Sequence, residues 1–253
     1  MGVDVFIKRT RHGSESLLRE AEGLELLRAS ILKHCDSDLA IPKIESVDKQ
    51  QLVIELVKTV PPSAKQTESL AVNLARLHSE PQDYYGFTGH NFIGLAPQYN
   101  VQSNNWGEFF AEFRLLAQIK MIKAQDVQHH FLSLFERHHH QLVQWLNERC
   151  SQSSLLHGDL WSGNVLFGQH EKVYLIDPAV YYGDREADIA MTEMFGGFSQ
   201  EFYDAYNAHS SLNPDYATKR EIYNLYHYLN HYNLFGDSYL EACKLRIEQI
   251  ETL

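Results

Sequence analysis

The stretch LLHGDLWSGNVLF holds the residues whose types and spacing are best suited to chemistry. Asp159 is followed five positions later by Asn164, and Asp177 ends the next strand-like run, in LIDP. Phosphoryl transfer requires an oriented hydroxyl group and Mg²⁺ bound to the phosphate oxygens, and it requires little covalent help from the protein. The pattern therefore predicts Asp159 as the catalytic base and Asn164 and Asp177 as oxygen ligands of Mg²⁺.

The spacing also resembles that of a known enzyme class. The run His157–Asn164 followed by Ile176-Asp177-Pro178 resembles the H-R-D-L-x-x-x-N and D-F-G motifs of protein kinases, and glycine in place of arginine resembles their small-molecule branch. The structural alternative is a loop that contains only Asx-type turns. The resemblance implies an α+β, protein-kinase-like bilobal fold.

Upstream residues supply candidates for binding ATP. Lys8 lies on a short β-rich segment, where we expect it to contact the α- and β-phosphates. Glu20, in the following helix, is the expected partner of Lys8 in the Lys–Glu pair of kinases. Glu22 is the second candidate for that pairing, and a pair of ordinary surface charges is the alternative. Glu55, Leu56 and Val57 follow a buried strand and occupy the position of a hinge whose backbone groups bind adenine.

The surrounding pattern predicts which elements position these residues. Apolar residues at helical spacing from Leu17 to Ile31 follow the first strand, and Pro61-Pro62 ends the strand 51–57. We therefore expect a small N-terminal lobe over residues 1–60 and a larger helical lobe over residues 61–253. Within the larger lobe the sequence predicts helices at 69–78, 106–123 and 125–149, an ordered loop at 81–105, a hairpin around Gly168 and a helical region from Asp184 onward.

Composition limits the classes of partner. The net charge of −11 disfavours nucleic acid and anionic membranes, because these polyanions bind through lysine and arginine. No run of about 18 apolar residues is present, and residues 1–11 lack the layout of a secretory signal. We therefore expect a cytoplasmic protein that binds neither nucleic acid nor membrane. The sequence leaves the oligomeric state open.

Four segments resemble the fructosamine kinase (ketosamine 3-kinase) family, which belongs to the aminoglycoside phosphotransferase-like fold. They are, in the family's order, NFIG at 91–94, HGDLWSGN at 157–164, PAVYYGDREAD at 178–188 and YHYLNHYNLFG at 226–236. The resemblance extends from Phe6 over nearly the whole chain. It implies ATP- and Mg²⁺-dependent phosphorylation of the 3-hydroxyl of ketoamines such as fructosamines and ribulosamines, which leads to deglycation because the phosphorylated sugar then departs.

The resemblance also draws attention to residues around the catalytic loop. Trp161 is a candidate for facing the sugar, and Tyr181 and Tyr182 are candidates for lining the acceptor pocket; packing is the alternative for all three. His157 and Asp188 are expected to support the loop, Asp188 by accepting backbone hydrogen bonds. His227 and His231 are spaced to share one helix face, and core packing is the favoured interpretation.

One family feature is expected to be missing. The family begins with a strand, a glycine-rich turn and a second strand that cover the ATP phosphates, but only seven residues precede Lys8 here. Two strands and a turn need on the order of a dozen residues, so the chain as given is expected to lack that cover, leaving a strand edge exposed. This keeps a pseudokinase or binding module as an alternative function. An aminoglycoside- or choline-type kinase is the other.

Overall fold

The computed structural model describes residues 4–10 and 14–253 of the chain. The strands are β1 (Val5–Arg9), β2 (Leu39–Ala40), β3 (Ile44–Val47), β4 (Gln51–Glu55), β5 (Tyr85–Gly86), β6 (Asn91–Ile93), β7 (Ala96–Gln98), β8 (Gln102–Ser103), β9 (Ser154–Leu156), β10 (Val165–Phe167), β11 (Val173–Leu175) and β12 (Tyr181–Gly183). The helices are α1 (Ser16–His34), α2 (Ala64–Ser79), α3 (Trp106–Phe110), α4 (Ala117–Lys120), α5 (Gln125–Glu148), α6 (Glu186–Met194), α7 (Gln200–His209), α8 (Tyr216–Phe235) and α9 (Leu240–Ile247).

The N-terminal sheet has the strand order β1-β4-β3, with both pairings antiparallel. Leu52 and Ile54 alternate inward along β4, as the period of two in a strand requires. Strand β1 pairs only with β4 among the described residues, so it forms a sheet edge. The Phe6 side chain on that edge is 51% exposed. Within the described residues, β1 therefore presents an exposed edge.

A second sheet carries the predicted hairpin. Strands β10 and β11 pair antiparallel on either side of Gly168, as predicted, and β11 also pairs in parallel with β2. The β2 pairing was missed by the sequence interpretation because a strand of two residues, Leu39 and Ala40, has no measurable period. This pairing joins the segment that follows α1 directly to the hairpin of β10 and β11.

The helices form the remainder of the molecule. Helix α2 begins with a capping box in which the Ser63 hydroxyl and the Gln66 side chain satisfy each other's backbone N–H groups. It packs against α7, and α6 packs against α8. Helices α3 and α4 are joined by a π-helical stretch, Ala111–Leu116, which makes one nearly continuous helix from Trp106 to Lys120, three residues shorter than the predicted 106–123. The predicted loop 81–105 instead contains the short strands β5 to β8.

The boundary predicted near residue 60 remains a prediction. One core cluster combines Leu24 of α1 and Leu74 of α2 with Val173 of β11 and Phe202 of α7, so buried contacts run across that boundary. The second cluster centres on Trp106 and the helices around it. The β-rich segment that contains Lys8 begins in the sequence at Val3, which lies outside the described residues. Across the part of the chain that the structure describes, no helix combines the length and the apolar character that crossing a membrane requires.

Candidate active site

The hairpin brings together the three residues predicted to carry the chemistry. The side-chain amide of Asn164 donates hydrogen bonds to the Asp159 carbonyl oxygen at 2.8 Å and to Asp159 Oδ2 at 3.3 Å. The N–H of Ile176, which precedes Asp177, donates to the Asn164 carbonyl oxygen at 3.1 Å. These short links explain why a loop followed by a tight hairpin places the residues side by side.

Asp188 holds the loop in front of Asp159. Its carboxylate accepts the backbone N–H of His157 at 2.7 Å and of Gly158 at 2.9 Å, and it lies 3.3 Å from His78 Nε2. Burial alone would raise the pKa of Asp188, but the hydrogen bond and charge of His78 outweigh it and lower the pKa. A carboxylate that is ionised and fully bonded is a rigid support for the loop.

Gly158 is required by the backbone at this point. Its φ angle is +80°, and a Cβ atom there would lie 2.1 Å from the Ala179 carbonyl oxygen. An arginine, as in the protein-kinase motif, would meet both the φ penalty and the clash. His157 is buried beside it, and its Nε2–H donates to the Ile176 carbonyl oxygen at 2.9 Å, which ties the loop to the hairpin.

The environment of Asp159 brings its pKa close to neutral pH. Burial raises its pKa to about 7, and the neighbouring charge of Asp177 acts in the same direction, while the hydrogen bond from Asn164 opposes both. A carboxyl group whose pKa lies near neutral pH can hold a proton taken from an alcohol and release it again. Asp159 therefore has the properties of a general base.

Lys8 links the N-terminal sheet to the hairpin. Its Nζ atom lies 2.8 Å from Glu20 Oε2 on α1 and 3.1 Å from Asp177 Oδ2. Burial alone would lower the pKa of Lys8, but these two carboxylates raise it, so the lysine stays charged. Glu22, the second candidate, pairs with Arg19 instead. The structure thus contains the pairing of Lys8 with Glu20.

A polar cavity of about 190 Å³ opens between these elements. Its walls include Lys8, Glu20, Asp159, Asn164 and Asp177. Ser16 and Arg19, at the start of α1, also line it. The sequence interpretation missed these two because a serine and an arginine on a helix are ordinary surface residues unless the direction of the helix is known.

The donor set fits a hard divalent cation. Because the Asn164 amide nitrogen is used by Asp159, its amide oxygen is the atom left for a ligand, and Asp177 supplies a carboxylate. Oxygen donors of this kind suit Mg²⁺. Asp177 has a left-handed backbone with φ of 54°, which is rare outside glycine and typical of strained functional positions.

The predicted hinge lies beside a separate cavity of about 310 Å³, lined by Glu55, Leu56, Val57 and Tyr174 among others. The N–H groups of Glu55 and Leu56 are both used within the protein, by the carbonyl oxygens of Lys43 and Asp4. Within residues 4–10 and 14–253 the Val57 N–H has no hydrogen-bond partner. Of these three N–H groups, only that of Val57 remains to bind a base.

Trp161 lines the polar cavity together with Lys8 and Asp159. It also lines a largely apolar cavity of about 360 Å³ together with Asp159, Phe195 and residues of α8. Tyr181 and Tyr182 line neither this cavity nor the polar one. Tyr181 is only 2% exposed, and the Arg114 guanidinium lies 4.1 Å from the centre of its ring. Tyr182 packs edge-on against Tyr84.

The family becomes evident from comparison with known proteins. The fructosamine kinase family model matches residues 2–252. This chain belongs to the fructosamine kinase family. A probable ketoamine kinase of Vibrio parahaemolyticus is 38% identical over 237 residues, which cover 91% of this chain and 79% of that protein.

Solved structures agree with this family. A putative fructosamine-3-kinase from Thermobifida fusca has a TM-score of 0.84 and 28% identity, covering 100% of this chain and 87% of that one. An ADP-bound aminoglycoside phosphotransferase has a TM-score of 0.59 and 14% identity, covering 97% of this chain and 86% of that one, and it shows the fold alone. The predicted family and the α+β, protein-kinase-like fold are confirmed.

Membership in this family makes the chain a phosphotransferase. Kinases of this kind use a nucleotide, so membership also indicates nucleotide use.

Proposed function

We propose that this fructosamine kinase family member uses ATP and Mg²⁺ to phosphorylate the 3-hydroxyl of a ketoamine, an adduct such as a fructosamine or ribulosamine. The observation that carries the proposal is the meeting of Asp159, Asn164 and Asp177 at one cavity that Lys8 also lines. Loss of the phosphorylated sugar would then restore the free amine, so the activity is deglycation. A cytoplasmic location suits both ATP and this task.

Each side chain has a defined task in the proposed reaction. Asp159 accepts the proton of the 3-hydroxyl while the hydroxyl oxygen of the acceptor forms a bond to the γ-phosphorus. At the same time the bond from that phosphorus to the bridging oxygen breaks, and ADP leaves. Asn164 and Asp177 hold Mg²⁺ through their oxygens. When bound, the metal balances the charge of the phosphates.

The remaining residues hold the reactants and the loop. Lys8 contacts the α- and β-phosphates, and Glu20 holds Lys8 in place. The segment Glu55–Val57 receives the adenine, with the Val57 N–H as its free donor. His157 and Asp188 fix the loop in front of Asp159. Trp161 contacts the acceptor, whereas Tyr181 and Tyr182 support the site by packing.

Asp159→Ala tests the proposal. With ATP, Mg²⁺ and ribulose-lysine, followed by mass spectrometry of the phosphorylated product, the unchanged protein should be active. The variant should lose about 10²- to 10⁴-fold in turnover, the usual contribution of a general base. Asp204→Ala removes an exposed carboxylate on α7 and should retain full activity.

Other results would identify the alternatives. Turnover of kanamycin or choline but not ribulose-lysine would indicate an aminoglycoside- or choline-type kinase. ATP binding without turnover of any acceptor would indicate a pseudokinase. Full activity of Asp159→Ala would remove Asp159 from the mechanism.

A further inference from the structure

The apolar cavity beside Asp159 has an unusual wall. Trp161, Phe195 and Phe235 are 38%, 44% and 62% exposed, although they lie close to one another. Trp161 meets Phe195 edge-on at 6.0 Å between ring centres, Phe195 lies 5.2 Å from His231, and His231 lies 5.5 Å from Phe235. Adjacent rings that remain in water mark a surface that gains free energy when a ligand covers it.

The charges around the cavity select the ligand. Asp159 is the only acidic or basic side chain among its lining residues in the described chain, apart from His231. Burial lowers the pKa of His231, so its ring is neutral at neutral pH. Aromatic faces and a carboxylate attract a cation and gain nothing from an anion.

The inner side of the cavity carries one free polar group. Asn230 is 3% exposed, and its side-chain oxygen faces Gln118 Nε2 at 3.5 Å, which orients the amide. Its amide nitrogen has no hydrogen-bond partner among residues 4–10 and 14–253. An amide N–H group at the wall of a cavity can donate to a carbonyl or hydroxyl oxygen of the acceptor.

We propose that the cavity formed by Trp161, Phe195, His231 and Phe235 binds the amine of the acceptor together with an apolar alkyl substituent on that nitrogen. In this arrangement the sugar hydroxyl faces Asp159, Asn230 donates to a sugar oxygen, and the cationic nitrogen lies against the rings. The preferred acceptors are then ketoamines of unbranched or aromatic amines. This inference rests on the proposed function, because it concerns the same acceptor.

A homologous series of acceptors tests the inference. Ribulosamines made from methylamine, propylamine and hexylamine differ only in the length of the substituent. Each methylene that enters the cavity should raise kcat/KM about fourfold, the equivalent of ~0.8 kcal/mol per buried CH₂ group. The change should appear in KM, with kcat nearly constant, because the substituent is remote from the reacting hydroxyl.

Two variants assign the effect to the rings. Phe195→Ala combined with Phe235→Ala should abolish the dependence on chain length and raise KM for every adduct, because the substituent and the cationic nitrogen both lose their aromatic contacts, while kcat stays nearly constant. Leu32→Ala removes a side chain of α1 that is 78% exposed and should retain the dependence. An analogue with an ether oxygen in place of the amine should bind more weakly, because it carries no charge.

Each outcome has one interpretation. A flat series in the unchanged protein, or a dependence that survives the double variant, overturns the inference while leaving the proposed function intact. A change of oligomeric state in the double variant, seen by sedimentation, with unchanged KM would identify the rings as an interface with a second copy. Absence of turnover with every ketoamine would instead contradict the proposed function itself.

Discussion

His227 is a buried polar side chain whose chemistry is not fully satisfied. It lies on α8 and is 4% exposed, and its Nδ1 atom has no hydrogen-bond partner among the described residues. Burial lowers its pKa from 6.5 to about 3, and His231 contributes in the same direction. The residue therefore stays neutral in the folded protein at neutral pH, and charging it in place is costly.

Replacement of His227 by glutamine should make the protein less sensitive to acid. The unfolded chain binds the proton near pH 6.5 and the folded chain only near pH 3. The stability that neutral His227 provides is complete above pH 6.5 and declines as the pH falls, by about 2 kcal/mol at pH 5. The free energy of unfolding in urea, measured for both proteins at pH 7.5 and pH 5, gives this loss of stability. A difference between them that is independent of pH would contradict the lowered pKa.

The sequence was sufficient to predict those residues of the site that lie close together along the chain. Asp159, Asn164 and Asp177 were predicted because one loop and one hairpin join them, and the structure brings them together. Phe195 and Asn230 were missed, since an isolated phenylalanine and asparagine give no local signal of a shared cavity. Only the packing of α8 beside the catalytic loop reveals them.

At the scale of elements, α6 is anchored by a buried cluster of charges. Lys219 of α8 is 1% exposed, and its Nζ atom lies 2.6 Å from Asp184 Oδ2, 2.5 Å from Glu186 Oε2 and 2.9 Å from the Arg149 carbonyl oxygen. These carboxylates stand at the beginning of α6, the helix that carries Asp188. The cluster therefore fixes the helix whose Asp188 binds the backbone of His157 and Gly158.

Lys219→Met should destabilise the protein by about 3 to 5 kcal/mol, because it leaves two buried carboxylates without their cation. The free energy of unfolding in urea measures the loss. Lys244→Met is the matched control: Lys244 pairs with Glu241 at the surface of α9, and its loss should change stability by less than about 0.5 kcal/mol. Equal effects of the two substitutions would show that the buried cluster has no special role.

Long elements were predictable, and short ones were not. The periodic apolar residues of α1 and the patterns around α5 and the hairpin gave the right element types. Strands β5 to β9 and β12 have two or three residues each, and, apart from the hairpin of β6 and β7, their pairing partners are remote in sequence, as with Tyr181 and Leu156. Such strands exist because tertiary packing aligns the backbone, so local sequence cannot reveal them.

At the scale of the whole molecule, Lys8 is a polar link between the N-terminal sheet and the rest of the chain. Lys8 of β1 reaches both Glu20 on α1 and Asp177 on the hairpin, so a single ammonium group connects three elements around the polar cavity. A nucleotide bound with Mg²⁺ in this cavity would contact the sheet and the hairpin together. Its binding should therefore stabilise the whole fold and not one element alone.

Asp177→Ala should remove the part of this stabilisation that depends on Mg²⁺. For the unchanged protein, ATP with Mg²⁺ at about a hundred times the dissociation constant adds ~2.7 kcal/mol, which corresponds to a rise of about 5 to 10 °C in Tm. ATP with EDTA should give a smaller rise. In Asp177→Ala the two conditions should give the same Tm, because the carboxylate proposed to hold the metal is gone, whereas Asp204→Ala should behave as the unchanged protein does. Because each comparison is made within one variant, any effect on Tm of losing the contact between Asp177 and Lys8 cancels. An undiminished Mg²⁺-dependent rise in the Tm of Asp177→Ala would show that other residues hold the metal.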